Sequence, residues 1–498
     1  MNTVLENLDA TRQIASRAIS PQTKSDLGQY MTPSQIAAFM ASLLHTEGVS
    51  NYHILDAGAG IGSLSIAFFE RLLIQSPIAT VNWVGYEIDE TLNTFLRGHL
   101  HQHASKFDTK GIEFNTEVRQ VDFVEDAVNR ILLESKPKFN FAILNPPYKK
   151  IHSQSRHRTL LRKLNIETVN SYTAFLALVI DLLADGGQVV AIIPRSFCNG
   201  PYYKSFRSRL LQRTALRHIH LFAARNKAFG EEQVLQENII IYLERNGKQG
   251  TVKISTSTDG QFTDYAENVY SFDQIILPAD PEKFIHIPLP GEHYELDFSQ
   301  AFHYSLSELG FDVSTGPVVD FRVKDYLRAM PESDTVPLIY PGHFTKQGIM
   351  WPKTDAKKPN ALVINQETKR WLYANGFYVV VRRFSSKEEH RRIVAGVVNP
   401  ANFFPHALLG FENHLNVFHM RGKELPENVT YGLAAYLNST FVDRCFRSFS
   451  GHTQVNATDL RLLKYPSLEV ITSLGSWAKH QPIITQALID DELRNYVE

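Results

Sequence analysis

Residues 1–250 alternate short apolar runs with stretches of helical periodicity, and few architectures accommodate that alternation. Apolar runs buried on both faces, each followed by an amphipathic helix, are what successive βαβ units on a parallel sheet require. "YHILDAG" (52–58) predicts a first strand, and "SLSIAFFERLLIQ" (63–75) the helix after it. "VNWVGYEID" (81–89) predicts a second strand with a helix near 90–104, and "EVRQVDFVE" (117–125) a third strand and the loop leaving it. "FNFAILNPPY" (139–148) is the fourth. "SYTAFLALVIDLLADGG" (171–187) reads as a helix closed by a glycine pair, ahead of strands in "QVVAIIP", "LRHIHLF" and "NIIIYLE". The fold class expected is α/β, with a Rossmann-like first domain.

After residue 250 the strands become short and partly alternating, and turns are frequent, as in "GTVKISTSTDGQFTDY"; a helix is expected near 427–447. A chain of 498 residues exceeds one ordinary core. Two domains are therefore expected, 1–250 and 251–498, the second mixed α/β, with the boundary between 250 and 290. The two cysteines, Cys198 and Cys445, form no C-x-x-C pattern. That argues against a disulfide framework and fits a reducing cytoplasm. The start lacks the apolar core of a signal peptide, and no apolar run reaches membrane-spanning length, so no membrane partner is expected.

"ILDAGAGIGSLS" places Gly58, Gly60 and Gly62 in a strand-to-helix turn, with Asp56 ending the strand, and all four are candidate cofactor contacts. Glycines let the backbone pass beneath a ligand. Such a turn alone is weak evidence, but acids recur at the next two strand ends. Glu87, beside Ile88, stands 29 residues after Gly58, where a carboxylate can accept both hydroxyls of a ribose. Asp122, beside Phe123, could accept from an adenine amino group. Each acid could instead cap a helix. The spacing D-x-G-x-G-x-G differs from the G-x-G-x-x-G of dinucleotide folds and favours S-adenosylmethionine, which has no pyrophosphate to seat on a helix N-terminus.

Asn145-Pro146-Pro147-Tyr148 leaves the fourth strand, and average usage produces a tetrad of the form [N/D/S]-P-P-[Y/F] in roughly one such chain in a hundred. The bland reading is a stiff turn. The chemical reading is fuller. An exocyclic amino group on a nucleobase is a poor nucleophile, because its lone pair is conjugated into the ring. The Asn145 side-chain carbonyl and the Pro146 backbone carbonyl can each accept one of its N–H groups and aim the lone pair at a sulfonium methyl. Pro147 stiffens the turn and Tyr148 stacks on the base, which must be flipped out of a duplex to arrive. Two acid-free basic stretches flank this segment, 149–163 with six Lys/Arg and 195–227 with eight. Lys149, Lys150 and Arg195 are therefore candidate phosphate contacts, and Tyr202, Tyr203 and Phe206 candidate partners of an unstacked base.

The order "QYMTPSQIAAFM", "DAGAGIG", "YEID", "VDF", "NPPY", "AFGEEQVLQENIIIYLE" resembles the gamma-class N6-adenine DNA methyltransferases of bacterial restriction–modification systems. The resemblance covers residues 25–245 strongly and the remainder loosely. It implies that Tyr30, Met31, Thr32 and Pro33 wrap the methionine part of the cofactor; Thr32 before Pro33 also reads as a helix N-cap. It implies that Phe229 is the second aromatic holding the flipped adenine, although a core phenylalanine is the plain alternative. It further implies a C-terminal target-recognition domain that clamps double-stranded DNA against the catalytic one, and a cognate restriction endonuclease; a monomer is the default expectation. "VSTGPVVDFR" and "SFSGHTQVNATDLRLLKYPS" look like parts of the recognition half, so Arg322, His452 and Gln454 are candidate DNA contacts, while Asn456 or Thr458 could simply cap a short helix.

Three rivals share features with this reading. Protein glutamine methyltransferases carry NPPY-like motifs but generally lack a large second domain, and RNA adenine methylation would use the same tetrad. A fused nuclease rests only on Asp355 with "ETK" at 367–369. The histidines are scattered, and His218-x-His220 has no carboxylate or cysteine nearby in sequence, so no metal site is expected.

Overall fold

The computed structural model describes residues 2–20, 31–75, 77–133, 138–223, 237–278, 280–288, 302–345, 348–355, 357–386 and 388–496. The chain divides into two compact units, Met1–Glu292 and His293–Glu498. In the first, β1 (Asn51–Ala57), β2 (Thr80–Tyr86), β3 (Glu113–Arg119), β4 (Phe139–Leu144), β5 (Leu183–Pro194), β6 (Thr214–Phe222), β7 (Asn238–Arg245), β8 (Val252–Ser257) and β9 (Ala266–Tyr270) form one sheet. Its order is β3-β2-β1-β4-β5-β7-β6-β8-β9. Strands β1 to β5 pair in parallel, and β7 lies antiparallel between β5 and β6.

Successive residues on the central strands enter opposite apolar layers: Ile54 and Leu55, Ile143 and Leu144, Val190 and Ala191. Helices α1 (Asn2–Ala18), α2 (Ser34–Ser42), α3 (Ser63–Leu73) and α4 (Glu90–Thr109) cover one face. Helices α5 (Phe123–Leu132), α6 (Arg156–Arg162), α7 (Ser171–Leu182) and α8 (Lys204–Arg213) cover the other. That is why the strands read as continuous apolar runs: a sheet buried on both faces has no polar side to alternate with. The first unit adopts the α/β doubly wound fold that this pattern implies.

Local chemistry moves several boundaries. The third strand ends at Arg119, because Asp122 caps α5, its Oδ1 accepting the Glu125 N–H at 3.0 Å. The pair Gly186-Gly187 does not close α7, which stops at Leu182. It lies inside β5, where the register to β4 shifts and Gly186 takes φ +76°. Beyond residue 250 the first sheet continues: β8 pairs in parallel with β6, and β9 antiparallel with β8. Val252 and Ile254 are fully buried there, and the first unit runs to Glu292, just past the 250–290 range expected for the boundary.

The second unit holds a four-stranded antiparallel sheet, in the order 312–315, 415–419, 378–382, 395–398, and a five-stranded mixed sheet. The helix expected over 427–447 is two, α9 (Glu427–Leu437) and α10 (Thr440–Phe449). Asn438 leaves the helix to exchange hydrogen bonds with the Ala395 backbone, and Ser439 caps α10. Helix α11 (Ala457–Leu462) starts from a capping box of Asn456 and Asp459, so Asn456 plays the plain capping role. Helix α12 (Leu468–Lys479) packs on α9 through Gly475 and Gly432, the backbone of each helix against the other. Among the described residues no helix is long and apolar enough to cross a membrane.

Candidate active site

The order of the parallel strands reverses between β1 and β4. Such a switch point opens a crevice at the carboxyl ends of the strands, where open α/β sheets bind ligands. A cavity of about 210 Å³ lies there, lined by Met31, Thr32, the turn Gly58–Ile61, Glu87 and Ile88, Val121 to Phe123, and Asn145 with Pro147. Gly58, Gly60 and Gly62 all sit in the left-handed region, at φ +87°, +58° and +87°, which favours glycine at each. The Gly58 and Ala59 N–H groups both donate to the Tyr86 carbonyl, at 3.0 and 2.8 Å, tying the turn to β2.

That tie brings Glu87 to the cavity. Its Oε2 accepts the Gly60 N–H at 2.8 Å and its Oε1 the Asp89 N–H at 2.7 Å. Burial pushes its pKa up to about 7, against the opposing pull of those two N–H groups. Asp56 behaves differently from expectation. It is wholly buried outside the cavity lining, and its Oδ2 accepts the Ser65 hydroxyl at 2.5 Å while Oδ1 has no partner. Burial, with Glu87 nearby, raises it to about 7 as well. Asp56 thus ties the end of β1 to α3, and Gly62 is the N-cap of α3 and not part of the cavity lining.

Asp122 reaches the cavity but is already engaged on both oxygens: Oδ1 caps α5, and Oδ2 meets His157 Nε2 at 2.9 Å. Burial pushes the carboxyl up, yet the bonds from His157 and the Glu125 N–H outweigh it and leave the pKa lowered. The hydrogen bond to Asp122 in turn raises His157. His157 had no signal in the sequence beyond its basic stretch. Phe175, which also lines the cavity 4.8 Å from the Phe123 ring, was indistinguishable from the core residues of its apolar helix.

The Asn145 carboxamide lies between two side chains. Its Nδ2 donates to Thr32 Oγ1 at 3.1 Å, and its Oδ1 accepts the Tyr148 hydroxyl at 2.9 Å. Tyr148 also approaches the Ile192 carbonyl at 3.2 Å and packs edge-on against Tyr172. Thr32 is not the cap of α2: Pro33 holds that position, without a side-chain capping bond. Pro146 is buried. Tyr30 and Phe229 lie outside the described residues.

The basic residues separate into two groups. Lys149 and Lys150 are exposed, and Lys149 also lines the cavity. Arg195, expected at a phosphate surface, is instead buried at 4% exposure, its Nη1 donating to Glu237 Oε1 at 2.8 Å. Phe206 is likewise a core residue, while Tyr202 is exposed. In the second unit Arg322 is exposed with its guanidinium 5.6 Å from the Phe321 ring. His452 is partly buried, its Nδ1 against the Gln454 carbonyl, and burial lowers its pKa. Backbone bonds string these segments side by side: Asn413 to Val318, Arg383 to His414, and Val455 to Arg383.

Comparison with known proteins identifies the family. Residues 72–229 match the family model described as Eco57I restriction-modification methylase. The chain is 49% identical over 500 residues to the Type II methyltransferase M.BsuBI of Bacillus subtilis, covering 99% of this chain and 98% of that protein. It is 41% identical over 474 residues to the Type II methyltransferase M.PstI of Providencia stuartii, covering 94% and 92%. Among solved structures, the Type IIL restriction-modification enzyme MmeI in complex with DNA matches with a TM-score of 0.58 at 12% identity, covering 96% of this chain and 76% of that one, a likeness of fold. At close to half identity over nearly the whole of both chains, the protein belongs to the type II methyltransferases of restriction–modification systems.

Proposed function

We propose that the chain transfers the methyl group of S-adenosylmethionine to the N6 amino group of an adenine flipped out of double-stranded DNA, protecting a site from a partner endonuclease. The observation that carries this reading is the Asn145 carboxamide beside the cavity. With its N–H donated to Thr32, the oxygen is the accepting end. An amide oxygen can accept two hydrogen bonds, so the one from Tyr148 does not by itself exhaust it. Asn145 and the Pro146 carbonyl then draw the lone pair of the target nitrogen out of the ring, and Lys149 and Lys150 meet phosphates. No strong base is required, because the amine becomes acidic as the methyl attaches.

The residues fit the cofactor. Glu87, Phe123 and Phe175 line the cavity; in this reading Glu87 accepts the ribose hydroxyls and the two rings supply apolar walls. The Ser63 hydroxyl, buried in the cavity wall, has no hydrogen-bond partner. S-Adenosylmethionine supplies an electrophilic sulfonium methyl when bound. Arg322, His452 and Gln454, on neighbouring segments of the second unit, serve target recognition.

The test is transfer of tritiated methyl from S-adenosylmethionine to unmethylated duplex DNA, with RNA and a protein lysate as rival acceptors. Label recovered as N6-methyladenine in DNA is the expected result. Label in RNA or protein, with none in DNA, overturns the acceptor and keeps the tetrad chemistry.

Cofactor affinity should also depend on pH. Hydroxyl donors favour the ionised Glu87, so binding lowers its pKa and releases a proton. Affinity is then complete above the free-state pKa of about 7 and falls roughly tenfold per pH unit below it. Titration calorimetry at pH 8, 7 and 6 reads this directly. Asp56 ionises in the same range, so Glu87→Gln is the control: it should bind more weakly at pH 8 and lose most of the slope. An unchanged slope in that variant would remove Glu87 from the ribose site.

A further inference from the structure

We infer that Asp9, on α1, is a positioning residue for the transfer: its carboxylate caps α2 from outside and so sets Thr32 to hold the Asn145 amide with its oxygen as the acceptor. Helix α2 begins with Pro33 at its cap, which has no side-chain oxygen to offer the first N–H groups. Asp9 supplies it across 25 residues of sequence. Its Oδ1 accepts the Ser34 N–H at 3.2 Å, and its Oδ2 accepts the Ser34 hydroxyl at 2.6 Å. A carboxylate at a helix N-terminus also meets the positive end of the helix dipole.

Both ends of this contact are fixed. Arg12, one turn further along α1 and 6% exposed, donates its Nε to Asp9 Oδ1 at 2.9 Å. On α2, Phe39 stacks on Phe262 with ring centres 4.3 Å apart. Between Ser34 and Thr32 stands only Pro33, whose ring restricts φ, here −58°. The position of Ser34 is therefore passed to Thr32, and Thr32 Oγ1 receives the Asn145 N–H. An amide flipped end for end would turn N–H groups toward an amino group that itself needs acceptors.

This inference rests on the proposed methyl transfer, and its test has one arm that does not. In that arm the protein is labelled with 15N-asparagine, and the Asn145 side-chain amide pair is assigned by its loss in Asn145→Ser. The pair should shift in Asp9→Ala as it does in Thr32→Val. A pair that stays in place in Asp9→Ala overturns the inference, whatever the methyl acceptor. In the kinetic arm, Asp9→Ala and Thr32→Val should each lower kcat on the order of tenfold, and the double variant no further than the worse single. Asp9→Asn, which keeps an oxygen for the Ser34 N–H, should recover part of the loss. Multiplying effects, or a kcat per folded molecule unchanged in Asp9→Ala, would make Asp9 merely structural. If Asp9→Ala fails to fold, Ser34→Ala, which removes the 2.6 Å bond to Asp9, carries the same comparisons. Wild-type protein that methylates no DNA counts against the proposed function, and the amide shift then decides the positioning role.

Discussion

Asn145→Ala should lower methyl transfer about a thousandfold while leaving S-adenosylmethionine affinity within about threefold. The substitution deletes the accepting oxygen and the N–H that orients it. It leaves intact the Glu87 carboxylate with its two backbone donors. Tyr148 keeps the Ile192 carbonyl within reach, so the fold around the tetrad has an alternative partner for that hydroxyl. The rate loss therefore belongs to the transition state. Single-turnover transfer and equilibrium binding, measured on the same preparation, separate the two. A loss of affinity as large as the loss of rate would reassign Asn145 to cofactor binding and remove the central support for amine activation.

The largest stability effect is expected in the second unit, at Gly475→Ala. A Cβ there would overlap the Asn428 carbonyl oxygen and press on the Gly432 backbone nitrogen, and one on Gly432 would overlap the Ile471 carbonyl oxygen. Alanine normally improves a helix by about 1 kcal/mol over glycine. Here the clash is with main chain, which cannot rotate aside as a side chain can. Separating α9 from α12 outweighs the propensity gain, for a net cost of about 3 kcal/mol or more, roughly 10 °C in the melting of that unit. Gly98→Ala on α4 is the matched control: nothing lies within 4 Å of the added methyl, so it should be neutral or stabilising. If Gly475→Ala melts like Gly98→Ala, the helices do not pack through their backbones.

The framework of the first unit was legible because burial on both faces writes itself into the central strands, as in Ile143 and Leu144. The positions of Glu87 and Asn145 at strand ends followed from it. What was not legible depends on partners distant in sequence. Arg195 looked like a surface cation until Glu237, 42 residues on, paired with it in the interior. Asp122 looked like an open acceptor until α6 delivered His157. Phe206 sat in a basic stretch, and only the winding of α8 turned it inward. A mid-helix glycine such as Gly432 reads as a weak helix former, and its purpose appears only with α12 beside it. Helix α1 gave no signal, because it is mostly polar and its contribution is a carboxylate at the start of another helix.

The continuation of the first sheet past residue 250 also decides where the gene can be divided. A catalytic fragment cut where the composition changes would end before β8 and leave β6 as an unprotected rim. Its backbone groups, and the side chains of Ile219 and Leu221, now covered, would be open to pairing with another copy. The intact sheet ends instead on β9, short and largely exposed, with Lys253 and Glu267 paired across the last two strands at 2.9 Å. At that edge of the sheet, the final two strands cover β6 and put a charged pair in its place.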